Sequence, residues 1–142
     1  LPSRIFRIDA ATGALTSTIT LPAASNVQQL ASGPDGALWF TDSGLNKIGR
    51  MTTGGNVTYY SIPTANSGLS GISAASDGAL WFTETTANKV GRISTAGSVT
   101  EYLIPTAGAQ PQGITAGAPG ACIPGTIYFS EKNALGILTF TT

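Results

Sequence analysis

The sequence predicts an all-β protein folded as a β-propeller, with about three blades of four antiparallel strands in a partial ring. Three observations predict it. First, Gly33-Pro34-Asp35-Gly36-Ala37-Leu38-Trp39-Phe40-Thr41-Asp42 recurs as Ser76-Asp77-Gly78-Ala79-Leu80-Trp81-Phe82-Thr83-Glu84, with the two tryptophans 42 residues apart. The same interval separates Arg50 from Arg92, Pro63 from Pro105 and Gly71 from Gly113. A period of about 40–50 residues marks either a helical array or a propeller. Second, each unit holds four short segments rich in Thr, Val, Ile, Tyr and Trp, which favour strands and remove the helical arrays. Third, Asp77-Gly78, Ala96-Gly97 and Gly54-Gly55 fall between those segments, where a tight hairpin needs a residue that tolerates positive φ.

Taken in order, the single domain 1–142 reads as thirteen strands, labelled A to D within each blade. Residues 4–21 supply strands C and D of a first partial blade, because Arg4-Ile5-Phe6-Arg7-Ile8 echoes Lys47-Ile48-Gly49-Arg50-Met51. A full blade occupies 27–62 and a second 70–104, the latter with strands near 71–75, 79–84, 89–94 and 99–104. Strands A, B and C of a last partial blade occupy 112–141, where Thr126-Ile127-Tyr128-Phe129-Ser130-Glu131 repeats the Trp-Phe-Thr-Glu stretch after a Gly/Pro-rich insertion at 117–125.

A run this short leaves blade faces bare, with Trp39, Trp81, Phe40 and Phe82 beside unpaired edges. Two ways of closing the ring are expected. A second copy closes a six-bladed homodimer, strands C and D of one chain completing A and B of the other. Alternatively the chain is half of a longer propeller. The first residues, Leu1-Pro2, with Met51 as the only methionine, imply a processed, cleaved or truncated amino terminus.

Composition excludes several classes. Seven Lys and Arg balance seven Asp and Glu, and 10% of residues are charged, so no basic patch exists to neutralise phosphates and no nucleic-acid partner is expected. No apolar run reaches the length of a membrane-spanning helix, and no membrane partner is expected. Histidine is absent, which removes the commonest general base and metal ligand. The one cysteine, Cys122, excludes an internal disulfide and reads as a loop residue that is either a free thiol or paired with another chain. Asn56-Val57-Thr58 matches an N-glycosylation acceptor on a C–D hairpin, and with the Thr, Ser and Gly content it points to a secreted protein.

Strand A begins and strand B ends on one rim. Ser70, Gln112, Asp42, Glu84 and Glu131 are therefore expected at one mouth of the channel, joined by Asn46, Asn88 and Asn133 with Lys47, Lys89 and Lys132 from the B–C turns. Such a ring suits a small polar ligand or a hydrated cation. A structural reading of the same residues has Glu84 pairing with Lys89, or capping a turn, and the repeated Asn tolerating a bend. Trp39 and Trp81, mid-strand in runs apolar on both faces, read as blade-to-blade core. Arg50 and Arg92 read as structural partners of acidic groups that the sequence does not name.

The unit Gly-Pro-Asp-Gly-Ala-Leu-Trp-Phe-Thr-Asp/Glu, then Asn-Lys-Ile/Val-Gly-Arg, then Val-Thr-x-Tyr-x-Ile-Pro-Thr resembles the repeat of the streptogramin B lyase (virginiamycin B lyase) family, closely over 33–116. The resemblance implies a seven-bladed ring with one active site where strand A begins. It also implies opening of a cyclic depsipeptide by elimination, with histidines, a glutamate and Mg²⁺. The family's histidines precede Gly-Ile at the start of strand A. Here that place is held by Gln112, by Ser70, and by Gln28 or Gln29 in the divergent earlier copy. An amide or hydroxyl does not take a proton near neutral pH as imidazole does. The expectation is a non-catalytic binding or assembly module without a cofactor. The alternatives are a streptogramin-lyase-like enzyme whose catalytic residues and Mg²⁺ site are completed by another chain or missing half, and a metal-dependent lactonase-type hydrolase using carboxylates near Glu84 and Glu131.

Overall fold

Glycine and asparagine turns divide the chain into short strands, and the sheet order follows that punctuation. The computed structural model describes residues 2–117, 125–133 and 137–141, and every regular element among them is a strand. β1 (Arg4–Ile8) and β2 (Leu15–Thr20) form a two-stranded sheet. β3 (Val27–Ser32), β4 (Leu38–Asp42), β5 (Lys47–Met51) and β6 (Val57–Ser61) form one complete blade. β7 (Leu69–Ala74), β8 (Ala79–Glu84), β9 (Lys89–Ser94) and β10 (Val99–Leu103) form the second. β11 (Pro111–Ala116), β12 (Thr126–Glu131) and β13 (Ile137–Thr141) form the last sheet. The architecture is an all-β, partial β-propeller whose ring is not closed. Cys122 and most of the Gly/Pro-rich insertion lie outside the described residues.

Each hairpin glycine takes the left-handed backbone that its position demands: Gly36 and Gly78 have φ of 74° between strands A and B, and Gly55 and Gly97 have 87° and 92° between C and D. Two other glycines serve packing instead. Gly49 lies opposite Phe40 and Gly91 opposite Phe82. A Cβ at either position would intrude into the phenylalanine ring across the strand pair.

One four-residue device is repeated in both complete blades. The Asp35 carboxylate, on the A–B hairpin, accepts from Trp39 Nε1 at 3.0 Å and from Arg50 Nε at 2.7 Å. Asp77 does the same for Trp81 at 3.3 Å and Arg92 at 2.7 Å. These are the acidic partners of the two arginines. Trp39 then stacks on Tyr60, and Trp81 on Tyr102, each with ring centroids 5.5 Å apart, an arrangement worth roughly 0.5–1.5 kcal/mol beyond burial. Partial burial works against ionisation of both aspartates. The indole, guanidinium and backbone N–H donors outweigh it and hold both below the usual carboxylate range.

The core lies between blades. Trp39, Ile48, Ile72, Leu80, Phe82 and Ile93 form one cluster joining the two complete blades. Trp81 joins the second blade to Ile114, Ile127 and Phe129 of the last sheet. Phe40 joins the first complete blade to Ile5 of β1 and to Leu21 just after β2. Both tryptophans are thus buried core and not a sugar-stacking surface, with exposures of 0% and 4%.

Strand A is also fastened across blades by a hydroxyl near the end of strand B. Thr41 Oγ1 accepts from Gln29 N in its own blade at 3.2 Å and donates to the Ser70 carbonyl of the next at 2.6 Å. Thr83 Oγ1 accepts from Gly71 N at 2.8 Å and donates to the Gln112 carbonyl at 2.7 Å. Ser130 Oγ, in the third copy, accepts from Gly113 N at 3.0 Å.

A rim of amides and hydroxyls over buried carboxylates

The register puts the start of each strand A beside the end of its strand B: Val27 opposite Asp42, Leu69 opposite Glu84, and Pro111 opposite Glu131. Each strand A carries an irregularity at the same place, between Val27 and Gln29, Leu69 and Ile72, and Pro111 and Ile114. Such a bulge re-aims a side chain and is common at sheet rims near functional sites. Gln28, Ser70 and Gln112 occupy it. Because β3 lies against β7 and β7 against β11, the three positions fall side by side along one rim. The bulge also separates the two candidate glutamines. Gln28 takes the rim position, exposed, with Nε2 donating to Ser43 Oγ at 3.0 Å. Gln29 reaches the next blade, its Oε1 accepting from Ile72 N at 3.3 Å.

The acidic residues lie deeper than a channel-mouth arrangement expects. Asp42 and Glu84 have 0% exposure and Glu131 has 9%. Asp42 Oδ1 accepts from Asn26 N at 2.8 Å and Leu45 N at 3.1 Å, so that carboxylate binds the B–C turn to the start of strand A. Asp42 Oδ2, both oxygens of Glu84 and Glu131 Oε1 are buried without a hydrogen-bond donor among the described residues. Lys89 does not pair with Glu84. Its ammonium goes to Glu101 Oε2 at 2.6 Å and Thr64 Oγ1 at 2.7 Å. Burial pushes the Glu84 carboxyl up to about 7, and the Glu101 charge adds to it. The Lys89 charge offsets only part. A carboxyl titrating there has the proton affinity of a general base, but a fully buried one offers no surface to a substrate.

Asn46 and Asn88 turn the chain from B to C with φ of 54° and 57°, and they do more than tolerate the bend. Asn46 Nδ2 donates to the Thr64 carbonyl at 2.9 Å, and Oδ1 accepts from Ser67 N at 3.0 Å. Asn88 Nδ2 donates to the Thr106 carbonyl at 2.9 Å, and Oδ1 accepts from Ala109 N at 2.8 Å. Each latches its turn to the segment that leads into the next blade. Asn88→Gly keeps the backbone conformation and removes only the latch, so it is expected to cost about 1–3 kcal/mol in chemical denaturation. A cost near zero would reduce Asn88 to a bend residue. Asn56 is exposed on the C–D hairpin, its backbone N–H donating to Thr52 Oγ1 at 3.2 Å.

Among the described residues no three His, Cys, Asp or Glu side chains gather closely enough to hold a metal ion. Mg²⁺ demands near-octahedral oxygen coordination. The three carboxylates stand in separate sheets, and one Asp42 oxygen is already filled by two N–H donors, so the described residues do not fit a Mg²⁺ site. What the rim presents is a row of amide and hydroxyl groups able to donate and accept hydrogen bonds.

Together the repeat, the blade-to-blade core and the rim define a class: an open segment of a four-stranded-blade propeller. More particularly, this chain belongs to the virginiamycin B lyase family, whose model matches residues 2–141. It is similar to virginiamycin B lyase from Staphylococcus aureus, with 43% identity and a TM-score of 0.88 over 98% of this chain and 45% of that one. A catalytically inactive histidine-to-alanine variant of that enzyme with quinupristin matches at 42% identity and a TM-score of 0.87, over 98% of this chain and 45% of that one. A streptogramin B lyase structure matches at 37% identity and a TM-score of 0.82, over 98% of this chain and 48% of that one. The chain therefore spans somewhat less than half the length of these relatives. Comparison with curated proteins gives no match.

Proposed function

We propose that residues 1–142 are a non-catalytic, ring-building segment of a virginiamycin B lyase-type propeller, contributing one arc of its rim and no base of its own. The observation that carries this is the occupancy of the strand A bulge. Gln28, Ser70 and Gln112 stand there, the sequence holds no histidine, and none of these groups takes a proton near neutral pH. In the Staphylococcus aureus enzyme, replacing one histidine by alanine leaves the protein catalytically inactive.

The reading extends to the partner. Thirteen strands over 45% of a relative's length correspond to about seven blades in a whole ring. β13 already pairs along the outer edge of β12, so a second copy would have to displace it to supply strand C there. This favours completion by further propeller strands over completion by a second copy. In such a ring this arc binds polar parts of a ligand, and the reacting groups come from elsewhere.

The test is turnover of virginiamycin B by the purified 142-residue chain with added Mg²⁺, followed by mass spectrometry of the ring-opened product. No turnover is expected. Linearisation above the uncatalysed background would overturn the reading.

A further inference from the structure

β1 is an edge without a neighbour on its inner side among the described residues, since its sheet contains only β1 and β2. Beside it opens a cleft of about 910 Å³ lined by Phe6, Arg7, Leu38 and Met51 among others. The repeat says what shape this space has. In the complete blades, the tryptophan of strand B lies opposite the arginine of strand C, Trp39 opposite Arg50 and Trp81 opposite Arg92. Each tryptophan then packs onto the following blade: Trp39 clusters with Leu80 and Ile93, and Trp81 with Ile127. One repeat earlier, the positions of Leu80 and Ile93 are Leu38 and Met51, two half-buried residues on the cleft wall. The position of Arg50 is Arg7, which is exposed and has no carboxylate partner among the described residues. Phe6 is the exception to the repeat. It stands where Gly49 and Gly91 make room for a phenylalanine ring, and it is itself 56% exposed.

We propose that the free edge of β1 and the adjoining cleft receive a β-hairpin of a further blade. Its tryptophan fills the space between Leu38 and Met51, its aspartate pairs with Arg7, and its residue opposite Phe6 is small. The proposal rests on the ring-building reading above and adds the chemistry of one partner strand. The two complete blades continue the established blade-to-blade interface toward this cleft, which makes a strand the occupant in preference to a small molecule. The swapped bulk at Phe6 means that a strand carrying phenylalanine there, as β4 and β8 do, is rejected by crowding.

Met51 is the only methionine, so its labelled methyl group gives a single resonance from the cleft wall. The experiment joins an added copy of residues 69–88 ahead of Arg4, with Phe82→Gly in the added copy, at the high effective concentration that a short linkage provides. The methyl resonance is expected to move upfield under the indole ring, and the Tm to rise above that of the unmodified chain. With Trp81→Ala in the added copy the shift is lost. With Phe82 retained there, the gain in Tm falls or disappears. An unmoved Met51 resonance, a shift that survives Trp81→Ala, or an equal gain with Phe82 retained would each overturn the proposal. Should the joined form not fold, the same hairpin is titrated as a free peptide into the unmodified chain, where the absence of a tryptophan-dependent shift overturns it. An equal, saturable shift from indole alone marks a small-molecule pocket and also overturns it. None of these outcomes alters the turnover result, so failure here is separable from failure of the ring-building reading.

Discussion

Glu84→Gln is expected to stabilise the chain at pH 7 by on the order of 2 kcal/mol, a rise in Tm of roughly 5–10 °C. The side chain is fully buried with neither oxygen hydrogen-bonded among the described residues, and burial together with the Glu101 charge raises its pKa from 4.5 to about 7. In the unfolded chain this carboxyl loses its proton near its ordinary value, whereas in the folded one it keeps it. Between those two values the folded state binds the extra proton, so stability is full below about pH 4.5 and is lost as pH rises through about 7. Glutamine is uncharged throughout and removes that slope. At pH 4 the two proteins should be nearly equal. Asp35 and Asp77 act in the opposite sense, because their carboxyls are held low. Their contribution is present above the ordinary carboxylate range and is lost as pH falls through their depressed values. The unmodified chain should therefore be most stable between the ordinary aspartate value of 3.8 and the ordinary glutamate value of 4.5, a maximum that thermal unfolding across pH would reveal. A Glu84→Gln protein that melts no higher at pH 7, while matching at pH 4, would remove the buried charge from the account.

Gly71→Ala should cost about 3 kcal/mol or more. Neighbouring strand A segments approach so closely there that a Cβ would press into the Gln112 carbonyl oxygen. That oxygen is not free to yield, since it accepts the Thr83 hydroxyl at 2.7 Å. Two controls bracket the effect. Gly78→Ala meets nothing within 4 Å and suffers only from its φ of 74°, a cost of about 1 kcal/mol. Gly113 occupies the same repeat position as Gly71, but a Cβ there meets Ser130 Oγ at an ordinary 3.4 Å. Gly113→Ala is expected to be nearly neutral in this chain. If denaturation curves give Gly71→Ala and Gly113→Ala equal costs, the strand A packing described here is wrong.

The contrast between Gly71 and Gly113 also shows where sequence reading stops. A 42-residue period, β-rich segments and hairpin glycines are local signals, and they make the propeller fold legible in the sequence itself. Contacts between blades are not local. Asp35 and Arg50 meet across 15 residues, and Asp77 repeats the pairing with Arg92, yet no spacing rule singles out those aspartates. Lys89 faces Glu84 in register, which makes the pair look natural on paper. Its ammonium instead goes to Glu101, which lies on the same face, diagonally across on the outer strand β10. The bulge in strand A shifts register by one residue, so Gln28 and Gln29 could not be told apart without it. Strand ends alone place the rim carboxylates in the channel mouth, because they leave out the enclosing turns. Asn26 N and Leu45 N fold over Asp42 and bring that end of strand B inside. The hydroxyls of Thr41 and Thr83 were missed altogether, although their recurrence after each Trp-Phe pair was visible.

The central claim is that this chain is one arc of a larger ring completed by other propeller strands. Mass measured on the native particle, and again after denaturation, tests it most directly. At 14.4 kDa for 45% of a relative's length, the account predicts a whole of about 32 kDa that contains more polypeptide than copies of this sequence. A native particle of twice 14.4 kDa that denatures only into 14.4 kDa chains would contradict it.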